Sequence, residues 1–464
     1  MRCIWISAKT ALAAKLFGSS GIRGVVNQEL TLQLALQTGL AVATAAEAGK
    51  ITVAHDTRTS AITIENAVIA GLLAGGAHAV KLGLIPTPIL AYATRRLKAD
   101  AGVMITASHN PPQYNGIKLF HKDTMAYNEK KQKKIERLIR KQRFTRQNYK
   151  RIGRLDVAEI TQDYINMVTR GLTLRKSWRI ILDPGNGATC NVAPKIFREL
   201  GCEVTTINAQ PDGHFPGRSP EPNQRSLDVL CGLVKQSNAD VGFAYDGDGD
   251  RMTAVTEKGE FAALDQILAA YAAHLVKHKG DIVITTVEAS MCVEKAVQQE
   301  GGKVIRTKVG DVAVAEEIKR HRAVFGGEPC GAWIHPRFHY CPDGILSSVL
   351  VLETLERINK TLSKFISGVR SYPIKKTSIE CPNEAKTRVM QKTAEVLPSI
   401  FPKTLEITSI DGVCLTLPKS WVLIRASGTE PLIRLNVEAE TSREADLTME
   451  KCINLVRKII REVD

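Results

Sequence analysis

Aromatic residues are scarce in this chain: Phe, Tyr and Trp make up 5% of its 464 residues, so its cores must be built from Leu, Ile, Val and Ala. No apolar run approaches the ~20 residues that cross a bilayer, which excludes an integral membrane helix. No Cys-x-x-Cys pair occurs anywhere. The ten cysteines are scattered from Cys3 to Cys452, a pattern of separate reduced thiols in a cytoplasmic protein rather than a disulfide framework or a zinc site. Low-complexity linkers are missing too, so successive segments are expected to pack closely. Against these absences, 44% hydrophobic and 24% charged residues are ordinary for a globular protein and exclude wholesale disorder. At ~100–200 residues per domain, the chain has room for three or four domains with cores of their own.

Acidic charge is the other shortage: 48 Asp and Glu face 63 Lys and Arg, for a net +15. The excess is local. Between Lys130 and Arg154 stand twelve Lys or Arg against one acid, Glu136, so that stretch carries +11. Ile135, Leu138 and Ile139 within it have helical spacing, which predicts a solvated basic helix with one docked face. Clustered charge can also hold an anionic partner such as RNA. Only Phe144 and Tyr149 interleave with it as stacking aromatics, however, and a nucleic-acid partner is not expected. Residues 1–17 are apolar with Arg2 near the start, but Lys9 and Lys15 interrupt them and no clean small-residue cleavage site follows. A short edge strand or an extension outside the fold is expected there rather than a signal peptide.

Strand-like and helix-like stretches alternate along most of the chain, which predicts α/β layers. Residues 51–54 and 102–105 read as buried strands, with a helix over 61–73 between them. A second unit opens with a strand at 178–182, the turn Asp183-Pro184-Gly185-Asn186-Gly187 into a helix, and strands at 202–207 and 241–244. A third holds a helix around 267–278, a strand at 282–286 and a helix around 292–299. From Tyr372, short runs separated by Pro382, Pro398, Pro402 and Pro418 predict a smaller α+β unit ending on a helix over 444–463. The expected domains are 1–155, 156–257, 258–370 and 371–464.

Four segments carry chemistry, one in each unit. Thr106-Ala107-Ser108-His109-Asn110-Pro111-Pro112 follows a strand, and its prolines keep a helix from starting early. That places Ser108 and His109 at a strand's C-terminal end, where open α/β sheets bind ligands, and suits a nucleophilic or phosphoryl-carrying serine. Lys118, ten residues on, offers a proton donor or a phosphate counter-charge. Asp246-Gly247-Asp248-Gly249-Asp250-Arg251 sets three carboxylates in five residues, which repel unless a hard divalent cation binds. Glu257 falls at the twelfth position of an EF-hand count, but Arg251 stands where that loop needs glycine, and a strand precedes it. A solvated acidic turn is the remaining alternative.

Gly326-Gly327-Glu328-Pro329-Cys330-Gly331, after a strand at 323–325, offers a carboxylate that can bridge two sugar hydroxyls. Arg425-Ala426-Ser427-Gly428-Thr429-Glu430-Pro431, with Arg434 beyond, combines hydroxyls, backbone N–H groups and two guanidiniums into a phosphate cradle.

Taken together, and with Gly18-Ser19-Ser20-Gly21-Ile22-Arg23-Gly24 as an N-terminal signature, these segments closely resemble the α-D-phosphohexomutase family from Phe17 to the C-terminus. The resemblance implies four domains around a central cleft, three related α/β domains followed by a smaller α+β domain. It implies that Ser108 is the phosphoserine, its phosphorylation activating, and that Asp246, Asp248 and Asp250 bind one Mg²⁺ per subunit beside it. Arg23, His109, Lys118 and Arg251 would be the surrounding charged and proton-transferring groups. Glu328 would grip sugar hydroxyls, while Arg425, Ser427, Gly428, Thr429 and Arg434 would hold the non-reacting phosphate. One departure stands out: the third loop commonly reads Gly-Glu-x-Ser-Gly, and Cys330 occupies the Ser position, where a thiol is a poorer hydrogen-bond partner.

The implied substrate is a hexose phosphate, turned over by a monomer or homodimer. Thr307-Lys308-Val309-Gly310-Asp311 is similar to the third-domain loop of the family's glucosamine-phosphate branch, and Asp311 could pair with a 2-ammonium group. Mannose or glucose phosphate is the alternative. A second role for Asp311 is open, as the N-cap of a helix beginning near Val312. A non-catalytic sugar-phosphate sensor or RNA binder remains the rival class, although Ser108 and all three aspartates are in place.

Overall fold

A computed structural model describes residues 16–18, 21–427 and 431–463. The predicted edge strand or extension over 1–15 lies outside them, as do Ser19, Ser20, Gly428 and Thr429. Phe17 lies inside, paired with Ile22 and buried in the first core. Two compact units emerge. The first comprises the chain through Ala263 with Gly310–Glu316 and Cys330–Ile366, and the second Leu264–Val309, Glu317–Pro329 and the chain from Ser367 onward.

The first unit holds two sheets. Strands β1 (Ile22–Val25), β2 (Lys50–His55), β3 (His78–Leu84), β4 (Ala101–Ile105), β5 (Tyr114–His121) and β6 (Leu155–Val157) are ordered β1-β5-β4-β2-β3-β6. β2, β3, β4 and β6 run parallel, and β5 returns antiparallel to β4 with Met104 opposite Lys118. The chain goes straight from β4 through the Ser108 loop into β5, with no helix between them. The second sheet, β10-β9-β7-β8, comprises β7 (Arg179–Asp183), β8 (Glu203–Thr206), β9 (Val241–Tyr245) and β10 (Met252–Thr256). β7 runs parallel to β8 and β9, and β10 hairpins back along β9.

In the second unit, β11 (Ile282–Thr286) lies between β12 (Lys303–Thr307) and β13 (Phe325–Gly327), all parallel. The strand before the Glu328 loop therefore takes in both glycines rather than ending at Phe325. The C-terminal sheet is antiparallel, ordered Ile374–Glu380, Leu432–Ala439, Ser420–Ala426, Val413–Thr416 and Glu406–Thr408. Helices Lys386–Ile400 and Ser442–Val463 cover it with a shared apolar core. Pro398 does not separate elements as expected: it sits in the last turn of the 386–400 helix, where its missing N–H costs one bond and its ring tells only on the turn before it.

The basic segment forms the helix Glu129–Arg140, with Asn128 as its N-cap. Ile135 and Ile139 are buried and Leu138 packs against the same core, while Lys133, Lys134 and Arg137 are exposed. That is the docked-face arrangement its spacing predicted. Ile135→Ala should cost about 2–5 kcal/mol through the cavity it leaves, read as a lower urea midpoint at unchanged slope; a midpoint within error of wild type would mean the face is not docked. Among the described residues no helix is long and apolar enough to cross a membrane, and no two cysteines are joined by a disulfide.

Candidate active site

Three of the four segments lie at the C-terminal ends of parallel strands: Thr106 follows β4, Asp246 follows β9 and Glu328 follows β13. In the first unit the Ser108 loop and the acidic loop meet. The Ser108 hydroxyl donates to Asp246 Oδ2 at 2.7 Å and lies 3.3 Å from His109 Nδ1. Ser108 holds a left-handed backbone, φ 53°, a strained setting for a residue with a Cβ. The loops touch along the backbone as well: a Cβ on Gly247 would stand 2.5 Å from the Ser108 carbonyl oxygen, so glycine is required for the approach.

Asp246, Asp248 and Asp250 are all buried, with one carboxylate oxygen from each lying within 4.8 Å of the others. Asp246 Oδ1 accepts the N–H groups of Gly249 and Arg251, which folds the loop over its own carboxylate. Lys118 reaches across from β5 to Asp248 at 2.9 Å and Asp250 at 2.8 Å, and the Thr87 hydroxyl donates to Asp248 at 2.6 Å. One lysine cannot neutralise three carboxylates. Burial and the neighbouring carboxylates push the carboxyls of Asp246 and Asp250 upward. Burial also disfavours charge on Asp248, but Lys118 and the Thr87 bond outweigh it and hold that group low. Asp248 Oδ1 and Asp250 Oδ1 are buried with no hydrogen-bond partner among the described residues; the Arg251 guanidinium lies 3.9 Å from Asp250 Oδ1. Buried acceptor oxygens without donors, in an all-oxygen set of three close carboxylates, fit a hard divalent cation.

The EF-hand alternative fails on geometry. The five residues of β10 separate the acidic loop from Glu257, a span of about 15 Å at strand rise, and Glu257 instead holds the backbone N–H and hydroxyl of Ser363.

Cations ring the serine. Arg23 donates to Asn110 Oδ1 at 2.9 Å. Burial, and then the charges of Arg251 and Arg23, depress His109 to about 3, so its imidazole is neutral at physiological pH. Since the Ser108 proton is directed to Asp246, His109 Nδ1 can meet the serine oxygen as a donor. Lys118 is raised despite its burial because Asp248 and Asp250 face it. Asp311 interacts electrostatically with both Arg23 and Lys118. It is not an N-cap: the helix Asp311–His321 starts at Asp311 itself, and the Gly310 carbonyl accepts from Ala313 and Val314.

In the second unit Glu328 is buried. Arg425 and Arg434 stand opposite each other on neighbouring strands. Arg425 is already engaged, to Glu288 at 2.8 Å and Asp411 at 3.1 Å. The buried Lys386, which the sequence did not single out, donates to the Ser427 carbonyl at 2.8 Å. Cys330 is half-buried in the first unit, where the next residue's carbonyl accepts from Met252.

The three α/β/α domain models and the C-terminal domain model of the phosphoglucomutase/phosphomannomutase family match residues 14–146, 162–259, 264–372 and 377–454. The probable phosphoglucosamine mutase of Pyrococcus horikoshii is 44% identical over 96% of this chain and 99% of its own length. The chain belongs to this phosphohexomutase family. The phosphoglucosamine mutase of Methanocaldococcus jannaschii is 41% identical over 96% of the chain and 99% of its own. The crystal structure of a phosphoglucomutase/phosphomannomutase family protein from Burkholderia thailandensis superposes with TM-score 0.87 at 25% identity, covering 97% of this chain and 98% of that one. As a phosphohexomutase the protein is an isomerase that moves a phosphoryl group within its substrate.

The sequence missed residues that support this site from behind. Asp56 and Arg58 pair at 3.1 Å, both buried, beneath the Ser108 loop, and Asp183 and Arg218 pair at 2.8 Å beneath the acidic loop. Each aspartate directly follows or ends a central strand, β2 or β7, and that placement was the available signal.

Proposed function

We propose that this phosphohexomutase interconverts glucosamine 6-phosphate and glucosamine 1-phosphate through phospho-Ser108. The observation that carries the mechanism is the 2.7 Å contact between the Ser108 hydroxyl and a buried triad of aspartates. The curated relatives named phosphoglucosamine mutase support the choice of sugar. The domain limits 1–155, 156–257, 258–370 and 371–464 belong to the same reading, supported by four successive family matches.

Phospho-Ser108 gives its phosphoryl group to the free sugar hydroxyl: the Ser Oγ–P bond breaks, the sugar O–P bond forms, and the hydroxyl proton leaves to a base of the site. The bisphosphorylated sugar then reverses its ends, and its other phosphoryl group returns to Ser108. No nucleotide is consumed. Mg²⁺ held by Asp246, Asp248, Asp250 and the Ser108 oxygen would neutralise charge on the transferring group. Arg23, Lys118 and Arg251 place fixed positive charge around it, and His109, neutral, offers a hydrogen-bond donor without adding repulsion among those cations. In the second unit Glu328 would accept from sugar hydroxyls, with Arg434, Ser427, Gly428, Thr429 and Arg425 serving the phosphate that is not reacting. Cys330, in place of the usual serine, would leave its sugar contact weak.

A coupled assay on glucosamine, mannose and glucose phosphates tests the reading. Glucosamine phosphate should give the highest kcat/KM; a higher value for mannose or glucose phosphate overturns the sugar assignment. The basis of that preference is testable at Asp311. Facing the C2 ammonium, its carboxylate would contribute about 1.5–3 kcal/mol, or about 10- to 150-fold in discrimination. Asp311→Asn should therefore lower kcat/KM for glucosamine phosphate by that factor relative to glucose phosphate. An equal fall for both sugars with a lower melting temperature would show a helix-terminus role instead.

A further inference from the structure

The Arg58 guanidinium spends all five of its N–H groups. Nε donates to Asp56 Oδ2 at 3.1 Å, Nη1 to the carbonyls of Pro111 and Tyr114 at 2.7 and 2.8 Å, and Nη2 to those of Ser108 and Asn110 at 2.9 and 2.6 Å. Four carbonyls of one loop are thus gathered onto a single rigid plane. Asp56 is tied to the same loop, accepting from the Thr106 hydroxyl at 2.7 Å, while Thr106 accepts from the Ser108 N–H at 2.9 Å. The left-handed Ser108 backbone is therefore held from both its carbonyl and its amide.

The acidic loop has a matching support. Arg218 donates to Asp183 Oδ2 at 2.8 Å, to the Asp183 carbonyl at 3.0 Å and to the Tyr245 carbonyl at 2.7 Å, one residue before Asp246. One short segment connects the two supports. The Phe215 ring lies over the Arg58 guanidinium at 5.3 Å, three residues before Arg218. Nearby, a Cβ on Gly213 would stand 2.4 Å from the Thr57 carbonyl, so the backbone at Gly213 lies close against the turn that carries Arg58.

We propose that Arg58 and Arg218 are positioning residues, coupled through Phe215, that hold the Ser108 loop and the Asp246 loop in the register phosphoryl transfer needs. Neither touches a reacting atom. Buried Asp–Arg pairs are weak devices for stability, because desolvation of both charges offsets their attraction. Their value here is geometric: displacing a reacting group by about 1 Å can cost about 10²-fold in rate. The proposal rests on Ser108 as the phosphoryl carrier, and its test is chosen to fail separately from that assignment.

Arg58→Lys keeps the charge against Asp56 but has three donors on a flexible stem in place of a five-donor fork. It should lower kcat by about 30- to 100-fold with KM for the sugar phosphate within about threefold. Amide exchange over residues 106–110 should rise at least about tenfold, while strand β4 keeps its protection. Phe215→Leu, which leaves every Arg58 hydrogen bond in place, should show the same pattern with a loss of about threefold in kcat, and it decides the matter if Arg58→Lys does not fold. Unchanged exchange over 106–110 in a folded variant would overturn the proposal, and so would raised exchange with kcat unaltered. If the wild-type protein turned over no hexose phosphate, the proposed function would fall, and the exchange data alone would decide the loop-holding role.

Discussion

Ser108→Ala is expected to lose about 10⁴-fold or more in kcat, the scale on which removal of a covalent carrier tells, and to carry no phosphoryl group on intact-mass measurement. The wild-type protein incubated with a hexose bisphosphate should gain one. The substitution deletes only the oxygen that accepts and releases phosphorus. Its Cβ is retained, so the left-handed backbone at φ 53° is no more strained than before, and the Arg58 bonds to the loop go to carbonyls that alanine keeps. The structural cost is the bond to Asp246, about 1–3 kcal/mol for a hydroxyl on a carboxylate, a loss confined to one loop. Melting temperature and circular dichroism should therefore stay close to wild type while turnover vanishes. Retention of more than about a tenth of wild-type activity by the folded variant, a shortfall far below the 10⁴-fold expected of a lost carrier, would show that another group carries the phosphoryl.

How much of this was legible beforehand depends on how local each feature is. Asp246, Asp248 and Asp250 could be read as a cation site because their repulsion is set by a spacing of two residues, whatever surrounds them. Ser108 could be placed at a strand end because Pro111 and Pro112 restrict the backbone around it. Lys118 was noticed as a charge, but its contact with the triad needs β5 to fold back along β4 so that Met104 faces Lys118, and the antiparallel return has no marker in the sequence. Arg58 was hidden for the same reason. Nothing in the sequence singles out Asp56-Thr57-Arg58, because the four carbonyls that satisfy the guanidinium lie about fifty residues away. Arg425 was read as a phosphate ligand, but its pairing with Glu288 and Asp411 was not legible, because those acids are distant in sequence or unremarkable in type. Pro398 misled in the other direction: proline is a sound helix breaker in an interior, and only the position of the helix end reveals that it sits where the cost is small.

Asp248→Asn addresses the charge balance of the triad. Lys118 is hydrogen-bonded to two of the three buried carboxylates, and among the described residues two carboxylate oxygens there are without donors. Removing the Asp248 charge takes away one of three formal charges from a divalent ion and leaves Lys118 with Asp250 as its hydrogen-bonded carboxylate. Two unit charges 4 Å apart interact by about 4 kcal/mol at an effective dielectric of about 20, a gross figure that the lost desolvation penalty of the buried carboxylate partly offsets. A net weakening of Mg²⁺ binding by about 10- to 100-fold is expected, measured by calorimetric titration of the protein without substrate. Activity should fall by a similar factor at limiting Mg²⁺ and recover in part as Mg²⁺ is raised. Chelation should silence the wild-type enzyme, and restored Mg²⁺ should revive it. A purely structural role for Asp248, through the Thr87 and Lys118 bonds, would instead lower the melting temperature and leave a deficit that no Mg²⁺ concentration repairs. If the variant bound Mg²⁺ as tightly as wild type, and chelator left both proteins active, the three aspartates would not be a metal site.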